Sequence, residues 1–422
     1  MKKLLHKLAA VTGGILFWQV AKRIREKGIR RYAKLVIIWI NKIPVIKAIR
    51  KRALFKQLAT IVAENPDKPI FVSLSFIDWN VPLFQRPQHV ARQLAKLGIL
   101  YFYHTRNYYD AVNGCEKVAE NLYLIDDFDA VVEFFSNIKK TIHVYSTNMY
   151  KEDDFRIKTA IKRNDTLLYE YIDEISEKIA GRKIPKFVYN RHLKLLKDER
   201  SCLVIATATK LYQEVATYRK TNMRLVTNGV TLEDFQHIKE TVPGTIKKLI
   251  KANKPIIGYY GALAHWFDYE LIKKTAKANP QWNFLLIGWD YDGSLKNSGI
   301  LKLPNIAVVG PIPYSKLAWH AQYFTVCTIP FHINLITNST SPVKIFEYMA
   351  LGKPIVTTAM PECKKYDSVL IAENTPESFT MQIAKALALV KNKKYLEKLH
   401  KDAVANTWEN KAKDILALVG LR

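Results

Sequence analysis

The arrangement of apolar residues changes near residue 69. From there on, short runs rich in β-branched and aromatic residues alternate with stretches whose apolar positions recur every three to four residues. This alternation is typical of a parallel sheet covered by helices. The predicted strands of a first block are Ile70–Phe76, Leu100–His104, Thr141–Ser146, Thr166–Tyr171, Cys202–Ala206 and Arg224–Thr227. The predicted helices are Leu83–Leu97, Asp153–Arg163, Arg191–Arg200 and Lys210–Lys220.

The alternation stops in a polar, lysine-rich stretch and then begins again. Residues 233–254 show no strand pattern and follow the turn-forming pair Asn228-Gly229. The strands predicted beyond them are Ile256–Gly261, Asn283–Gly288, Ile306–Gly310, Thr325–Pro330 and Pro354–Thr358, and the helices are Tyr269–Ala278, Pro342–Leu351 and Glu377–Val390. We therefore predict an α/β protein with two doubly wound, Rossmann-like parallel-sheet domains. Ligands are expected in a cleft between the carboxyl ends of the two sheets.

These patterns divide the 422 residues into four segments. We predict a basic amphipathic segment over residues 1–65, a first Rossmann-like domain over 66–235 and a second over 236–405. The last segment, 406–422, is amphipathic. The pattern alone allows it to cover the second domain or to cross back to the first.

The first sixty residues carry more than half of the net positive charge. They contain 16 Lys and Arg against the single acid Glu26, while the whole chain has a net charge of +27. Two apolar runs, which contain Trp18 and Trp39, lie among these charges, and neither reaches the roughly 20 apolar residues needed to span a bilayer. Basic helices with an apolar face lie in the plane of the lipid headgroups. We expect residues 1–60 to bind the anionic, cytoplasmic face of the inner membrane peripherally.

Two other interpretations of this segment remain open. One is a helical hairpin that packs on the main body with a solvated basic face, and the other is nucleic-acid binding. No nucleic-acid motif accompanies the charge, so nucleic acid is not an expected partner. The four cysteines have neither a C-x-x-C pair nor the spacing of a zinc site, and we interpret them as reduced thiols of a cytosolic protein.

The segment SPVKIFEYMALGKPIVTT, residues 341–358, gives the clearest indication of chemistry. Lys344 and Glu347 are three residues apart and project from nearly the same face of the predicted helix. A lysine near a helix N-terminus that faces a cleft can bind phosphate, and a glutamate one turn later can accept two hydrogen bonds from a ribose diol. The alternative is an exposed Lys–Glu pair, which would contribute only roughly 0.2–0.5 kcal/mol.

This segment resembles the nucleotide-sugar motif of bacterial glycosyltransferases with the GT-B architecture, specifically family 4-like enzymes of cell-surface polysaccharide synthesis. Other stretches resemble the same family in the expected order. In the first domain, FQRPQHVARQLAKLG from Phe84 is similar to a helix of a teichuronic-acid-type subgroup, and VTNGVTLEDF from Val226 resembles the segment that links the domains. In the donor domain, the similar stretches are IGYYGALAHWFDYELI from Ile257 and WNFLLIGW from Trp282. The stretch NTWENKAKDIL from Asn406 resembles a terminal helix that returns to the first domain.

The resemblance covers about residues 70–420 and implies a function. It implies an enzyme that transfers a sugar from a nucleoside diphosphate to a lipid-linked or polysaccharide acceptor, with retention at the anomeric carbon. The first domain would bind the acceptor and the second the donor. Many members of the family have two glutamates eight positions apart, and Ser339 takes the first of these positions here. A noncatalytic carbohydrate-binding or scaffolding partner of the same shape is the alternative function.

The candidate site residues follow from these motifs. The donor-binding candidates are Gly261, Ala262, Trp266, Ser341, Lys344 and Glu347. Gly261 ends a predicted strand, where a glycine lets the backbone approach a diphosphate. Asp290 and Asp292 are interpreted as turn residues. No metal and no cofactor is expected beyond the nucleotide sugar, because a lysine and helix N-termini can stabilise the leaving diphosphate.

The remaining candidates are catalytic or face the acceptor. Asp173 and Glu174 are predicted catalytic acids, since they follow a predicted strand at its carboxyl end, where a carboxylate can take a proton from an acceptor hydroxyl. His265, in the loop after Gly261, is a third catalytic candidate. Arg86 and His89 are predicted to face the acceptor. For each residue the alternative is a packing or capping role.

Overall fold

The structure is a computed structural model that describes residues 44–81, 83–177, 183–236 and 241–421. The chain divides into two compact units at Glu64. In the first unit, helix α1 (Pro44–Ala63) buries Leu54, Leu58 and Ile61. The rest of the predicted membrane-binding segment, with Trp18 and Trp39, lies outside the described residues. Within the described ranges, no helix combines the length and the apolar character that a membrane span requires.

The first sheet of the larger unit has eight strands in the order β3-β4-β2-β1-β5-β6-β7-β8. Neighbouring strands are parallel except β3 and β4, which are antiparallel. The strands are β1 (Ile70–Leu74), β2 (Leu100–His104), β3 (Cys115–Ala119), β4 (Leu122–Ile125), β5 (Lys140–Tyr145), β6 (Thr166–Tyr171), β7 (Cys202–Ala206) and β8 (Met223–Leu225). The central strands are apolar on both faces because helices cover both sides of the sheet.

The helices of this first domain begin where local capping allows. They are α2 (Arg86–Lys96), α3 (Phe128–Phe134), α4 (Asp153–Lys162), α5 (Lys186–Lys197) and α6 (Thr209–Tyr218). Helix α2 starts three residues later than predicted, because a capping box between Gln85 and Gln88 and a proline at its second position fix the first turn. Helix α5 starts five residues earlier than predicted, directly after the extended Pro185.

The second domain contains a sheet of six parallel strands in the order β11-β10-β9-β12-β13-β14. The strands are β9 (Ile256–Tyr260), β10 (Asn283–Ile287), β11 (Ile306–Val309), β12 (Val326–Ile329), β13 (Ile355–Thr358) and β14 (Val369–Ala372). The α-helices that follow the first sheet along the chain are α7 (Glu233–Gln236), α8 (Lys247–Lys251), α9 (Tyr269–Ala278), α10 (Ser294–Asn297), α11 (Leu317–Ala321), α12 (Val343–Ala350), α13 (Pro376–Leu389), α14 (Lys393–Ala405) and α15 (Trp408–Leu418). Two parallel-sheet α/β domains confirm the predicted fold class.

The C-terminal helix α15 packs on the first domain. Its Trp408 is fully buried, and the indole is stacked on the ring of His89 in α2 at 4.9 Å between centroids. The residue before the helix, Thr407, pairs with Val230 of the linker in a parallel bridge. The chain therefore passes between the two domains twice, along adjacent paths.

Candidate active site

A cavity of about 380 Å³ lies where the carboxyl ends of the two sheets face each other. The first domain contributes the start of α2 and the loop after β6, and the second contributes the loop after β9 and the start of α12. The structure brings eight of the predicted site residues to its wall, namely Arg86, Asp173, Gly261, Ala262, Trp266, Ser341, Lys344 and Glu347. Their roles stay predictions, but their common location does not depend on those roles.

Lys344 lies in the first turn of α12 and points its ammonium group into the cavity wall beside aromatic rings. Its Nζ is 5.7 Å from the ring centroids of both Tyr259 and Phe331. Burial lowers the pKa of Lys344 from its ordinary value, and the nearby Glu347 carboxyl opposes this shift. Within the described part of the chain Lys344 forms no salt bridge. A half-buried ammonium group at a helix N-terminus is suited to an anionic ligand.

Glu347 lies one turn after Lys344 on the same face of α12, as the spacing predicts. The residue is 4% exposed, and its Oε2 accepts a hydrogen bond of 2.7 Å from the hydroxyl of Tyr260. Burial raises the pKa of Glu347 to about 7, although the hydrogen bond from Tyr260 and the charge of Lys344 both act to lower it. The carboxyl group can therefore be ionised near neutral pH and accept hydrogen bonds from a ligand.

Gly261 brings the backbone after β9 close to Lys344. Its φ of +137° lies in the region that favours glycine, and a Cβ there would be 2.9 Å from Lys344 Nζ and 3.0 Å from the Tyr259 hydroxyl oxygen. A side chain at position 261 would thus displace the ammonium group that faces the cavity.

Gly261→Ala is therefore expected to weaken nucleotide binding about tenfold or more, because the added Cβ displaces the Lys344 ammonium group and a hydrogen bond to a charged group contributes roughly 1.5–3 kcal/mol. Titration calorimetry with UDP, ADP and GDP measures the effect. Gly310→Ala is the matched control, because a Cβ at Gly310 meets nothing within 4 Å. Equal affinity of both variants would show that the backbone at Gly261 does not support the binding site.

An aromatic wall forms one side of the cavity in the second domain. Trp266 belongs to it, together with Trp289 and Tyr291. The ring centroids of Trp266 and Tyr291 are 5.6 Å apart, and those of Trp289 and Tyr291 are 6.3 Å apart with nearly parallel planes. The sequence analysis missed Trp289 and Tyr291, although two aromatic residues at i and i+2 directly after a predicted strand were the available signal. Such a wall can stack against a nucleobase or a sugar face.

The neighbouring Asp290 and Asp292 lie in a turn, as interpreted from the sequence. Asp290 accepts hydrogen bonds from the backbone N–H groups of Leu295 and Lys296 at the start of α10, and Asp292 accepts one from the N–H of Ser294. Among the described residues, no group of three or more His, Cys, Asp or Glu side chains is arranged to hold a metal ion.

Arg86 reaches the cavity from the first turn of α2 and is fixed by several partners. Its Nε donates a hydrogen bond to Glu170 at the end of β6, and its Nη1 donates to the carbonyl oxygen of Thr227 at 3.0 Å. His143 Nε2 lies 2.7 Å from the other oxygen of Glu170. Burial alone would raise the pKa of Glu170, but Arg86 and His143 outweigh it and hold this pKa at about 2. Glu170 is therefore an ionised structural partner of Arg86.

Asp173 follows β6 and lines the cavity opposite the second domain. Burial raises the pKa of Asp173 to about 7, and the positive charge of Arg86 limits this rise. A carboxyl group with such a pKa can gain or lose a proton near neutral pH. The two neighbouring acids therefore differ in protonation near neutral pH. Glu170 stays ionised, whereas Asp173 can exchange a proton with a ligand.

Glu174 does not line the cavity. Its Oε2 accepts a hydrogen bond of 2.8 Å from the hydroxyl of Ser339 in the second domain, and it also contacts Lys210 Nζ at 3.2 Å. Glu174 therefore connects the two domains beside the site. Its partner Ser339 stands at the position where the resembling family often has a glutamate. Its predicted catalytic role has no support in this position.

Two predicted histidines are likewise absent from the cavity lining. His89 is 1% exposed and packs between Trp408 and Phe84, with ring centroids 4.9 Å and 4.7 Å away. Its packing in the core prevents the predicted contact with the acceptor. The ring of His265 points to solvent, where its Nδ1 lies 2.8 Å from Asp292 Oδ2. The structure therefore gives His89 a packing role, whereas the catalytic role of His265 stays a prediction.

Comparison with known proteins gives a match to one family over part of the second domain. The family described as Glycosyl transferases group 1 matches residues 254–388, which contain the Gly261 loop, Lys344 and Glu347. The chain is 23% identical over 287 residues to TuaH of Bacillus subtilis (strain 168), which is named as a teichuronic acid biosynthesis glycosyltransferase. That match covers 65% of this chain and 71% of TuaH.

Solved structures show the same fold at low sequence identity. A glycosyltransferase from Rickettsia africae ESF-5 has a TM-score of 0.61 at 13% identity, and the match covers 83% of this chain and 98% of that one. Sucrose-phosphate synthase from Thermosynechococcus elongatus has a TM-score of 0.59 at 16% identity, with coverage of 83% and 98%. Anabaena Alr3699/HepE in complex with UDP-glucose has a TM-score of 0.57 at 14% identity, with coverage of 83% and 99%. These solved structures show that the chain has the GT-B fold, and the match over residues 254–388 together with the similarity to TuaH identifies it as a glycosyltransferase.

Proposed function

We propose that this glycosyltransferase transfers a sugar from a nucleoside diphosphate to a lipid-linked or polysaccharide acceptor in the synthesis of a cell-surface glycan. The observation that carries the proposal is the placement of Lys344 and Glu347, one turn apart, in the wall of the cavity between the domains. Two similar proteins support it, since TuaH is named as a teichuronic acid biosynthesis glycosyltransferase and the structure of Anabaena HepE is in complex with UDP-glucose.

The donor side of the cavity offers a contact for each part of a nucleotide sugar. Lys344 and the backbone at Gly261 would bind the diphosphate, and Glu347 would accept hydrogen bonds from the ribose hydroxyls. The aromatic wall of Trp266, Trp289 and Tyr291 would stack against the base or the sugar. Stabilisation of the leaving diphosphate by Lys344 would lower the barrier for cleavage of the glycosidic bond.

The acceptor side offers a proton acceptor. Asp173, ionised above a pKa of about 7, would take the proton from the acceptor hydroxyl as that oxygen attacks the anomeric carbon on the face from which the diphosphate leaves, while the bond between that carbon and the diphosphate oxygen breaks. Arg86 would orient the acceptor from the same wall of the cavity. We further propose retention at the anomeric carbon and independence of divalent metal, because the family resemblance implies the first and Lys344 supplies a positive charge for the second.

A panel of nucleotide sugars tests the enzyme assignment. The purified chain is incubated with the UDP, GDP and ADP forms of common hexoses, with bacterial lipid extract as the acceptor source and with or without EDTA. Release of the nucleoside diphosphate that persists in EDTA, together with a glycosylated product, is the expected result. Proton NMR of the product reports the anomeric configuration.

A noncatalytic carbohydrate-binding or scaffolding partner of a glycan-synthesis complex is the second candidate, and it is favoured by Ser339 at the position of a frequent family glutamate. It predicts saturable binding of a nucleotide without turnover in any of these mixtures. Transfer of sugar to any acceptor in the panel excludes it.

We also propose that residues 1–60 attach the enzyme peripherally to the cytoplasmic face of the inner membrane. The 16 basic residues of this segment would bind anionic headgroups, and its apolar runs would insert among them. The described end of the segment, α1, exposes Val45 and Ile49.

Sedimentation with vesicles tests this attachment. The full chain is expected to pellet with vesicles of increasing phosphatidylglycerol content and less so at high salt, because salt screens the charges and leaves the apolar insertion. A chain that begins at Asn65, the start of the larger compact unit, is expected to stay in the supernatant. Vesicles of phosphatidylcholine alone are the control. Equal pelleting of both chains would contradict the attachment.

A further inference from the structure

Tyr260, the last residue of β9, lines the cavity and contacts Glu347. Its hydroxyl donates a hydrogen bond of 2.7 Å to Glu347 Oε2, and both side chains are buried. Burial raises the pKa of Tyr260 well above its ordinary value. The hydroxyl therefore stays protonated at any physiological pH and acts as a donor.

The ring of Tyr260 is itself held in place. It packs edge-on against Tyr348 with 4.9 Å between ring centroids, and the backbone N–H of Tyr260 donates to the Tyr348 hydroxyl at 3.2 Å. A side chain that is fixed at both ends transmits its position to the group that it contacts. The orientation of the Glu347 carboxylate is thus set from β9 as well as from α12.

We propose that Tyr260 is a positioning residue that fixes the Glu347 carboxylate for the two ribose hydroxyls and thereby makes the site selective for ribonucleotides. The proposal rests on the proposed function, in which Glu347 binds the ribose. A carboxylate has about four lone-pair positions on its two oxygens. The Tyr260 hydroxyl occupies one of them on Oε2 and leaves Oε1 and the remaining position on Oε2 for the ligand.

The charged groups around Glu347 determine how it responds to loss of this hydrogen bond. Lys344 on the same helix and the Tyr260 hydroxyl lower the pKa of Glu347, whereas Asp234 in α7 raises it. Tyr314 and Tyr348 also face Glu347, and burial keeps both of them protonated. Removal of the Tyr260 hydroxyl is therefore expected to raise the pKa of Glu347 above about 7. A larger fraction of protonated carboxyl at neutral pH leaves fewer acceptor positions for the ribose.

The test compares ribonucleotides with 2′,3′-dideoxyribonucleotides in the full-length protein. Calorimetric affinities are measured from pH 6 to 9 for UDP, ADP, GDP and their dideoxy forms with the wild type, Tyr260→Phe, Glu347→Ala and the control Tyr395→Phe. The phenylalanine at position 260 keeps the ring packing and removes only the hydroxyl. Tyr395→Phe removes a half-buried hydroxyl of the same domain that donates to the carbonyl oxygen of Ser368 at 2.7 Å, and Tyr395 does not line the cavity.

The wild type is expected to prefer the ribonucleotide at least tenfold, and Tyr260→Phe is expected to reduce this preference about tenfold, the range for a hydrogen bond to a charged group. Its affinity for the dideoxy form should not change. The pH at which ribonucleotide affinity is half-maximal should move upward in Tyr260→Phe and stay unchanged in Tyr395→Phe.

Four outcomes would overturn the proposal, and they separate it from the proposed function. An unchanged preference in Tyr260→Phe, or an equal loss of affinity for both nucleotide forms, removes the positioning role alone. An unchanged preference in Glu347→Ala removes the ribose contact of the proposed function and this proposal with it. Absence of saturable binding by all three ribonucleotides contradicts nucleotide recognition as a whole.

Discussion

Asp173→Asn is expected to lower kcat about 10²- to 10⁴-fold while nucleotide affinity stays within about twofold of the wild type, because a positioned general base contributes that range. Asparagine has nearly the same shape as aspartate but cannot take the proton from the acceptor hydroxyl. Sugar transfer measured by release of the nucleoside diphosphate, with the acceptor identified in the panel experiment, gives kcat for both proteins.

The pH profile adds a second measurement. The base must be ionised, so wild-type kcat is expected to fall as the pH drops through about 7, the pKa to which burial raises Asp173. The residual activity of Asp173→Asn should lack this dependence. Since folding raises the pKa of Asp173, its ionisation opposes folding, and the variant should unfold at the same or a higher temperature above pH 7.

Glu174→Gln is the matched control for this prediction. Glu174 is the next acid along the chain, but its carboxylate contacts Ser339 and Lys210 instead of the cavity. We expect a loss of less than about tenfold in kcat and an unchanged pH profile. If the fall in kcat at low pH disappears in Glu174→Gln and persists in Asp173→Asn, Glu174 and not Asp173 is the base.

The sequence predicts the second-domain half of the site better than the first-domain half. Lys344 and Glu347 were predictable because a helical spacing of three residues places two side chains on one face, whatever the tertiary structure around them. Gly261 was predictable for a similar reason, since the end of an apolar strand fixes its place at the carboxyl edge of the sheet. In each case the decisive geometry is local.

The residues that the sequence analysis misplaced depend on partners far along the chain. His89 is buried because Trp408, more than 300 positions later, returns to stack on it. His265 is turned to solvent by Asp292, and Glu174 is turned to the other domain by Ser339. No local pattern contains these contacts. The helical or strand spacing predicts on which face of a helix or at which edge of a sheet a residue lies. The tertiary partner then determines the direction of its side chain.

Strands β3 and β4 were not predicted from the sequence, and the reason differs from that for the misplaced side chains. Strand β3 is an edge strand with four of its five residues exposed, so it shows no apolar run. Strand β4 is buried but only four residues long, and the polar turn before it, Glu120-Asn121, interrupts the apolar pattern. Edge strands depend on pairing with their neighbour more than on their own hydrophobicity, which is why periodicity does not reveal them.

Lys344→Met is expected to weaken binding of nucleoside diphosphates by about 2–4 kcal/mol, roughly 30- to 700-fold, because it removes the ammonium group that would contact the diphosphate. Methionine keeps the apolar stem that lies beside Tyr259 and Phe331. The loss should be confined to the charged ligand. Calorimetry with UDP, ADP and GDP and with the matching nucleosides measures this difference, and nucleoside affinity should stay within about twofold.

Lys353→Met is the control for loss of a lysine from the same region. Burial lowers the pKa of Lys353 as it does that of Lys344, but Lys353 follows α12 and does not line the cavity. Nucleotide affinity should be unchanged in this variant. Because burial disfavours the charged form of Lys344, Lys344→Met should unfold at the same or a higher temperature than the wild type, so that weaker binding cannot result from unfolding. Wild-type affinity for the diphosphates in Lys344→Met would show that the phosphate contact lies elsewhere in the cavity.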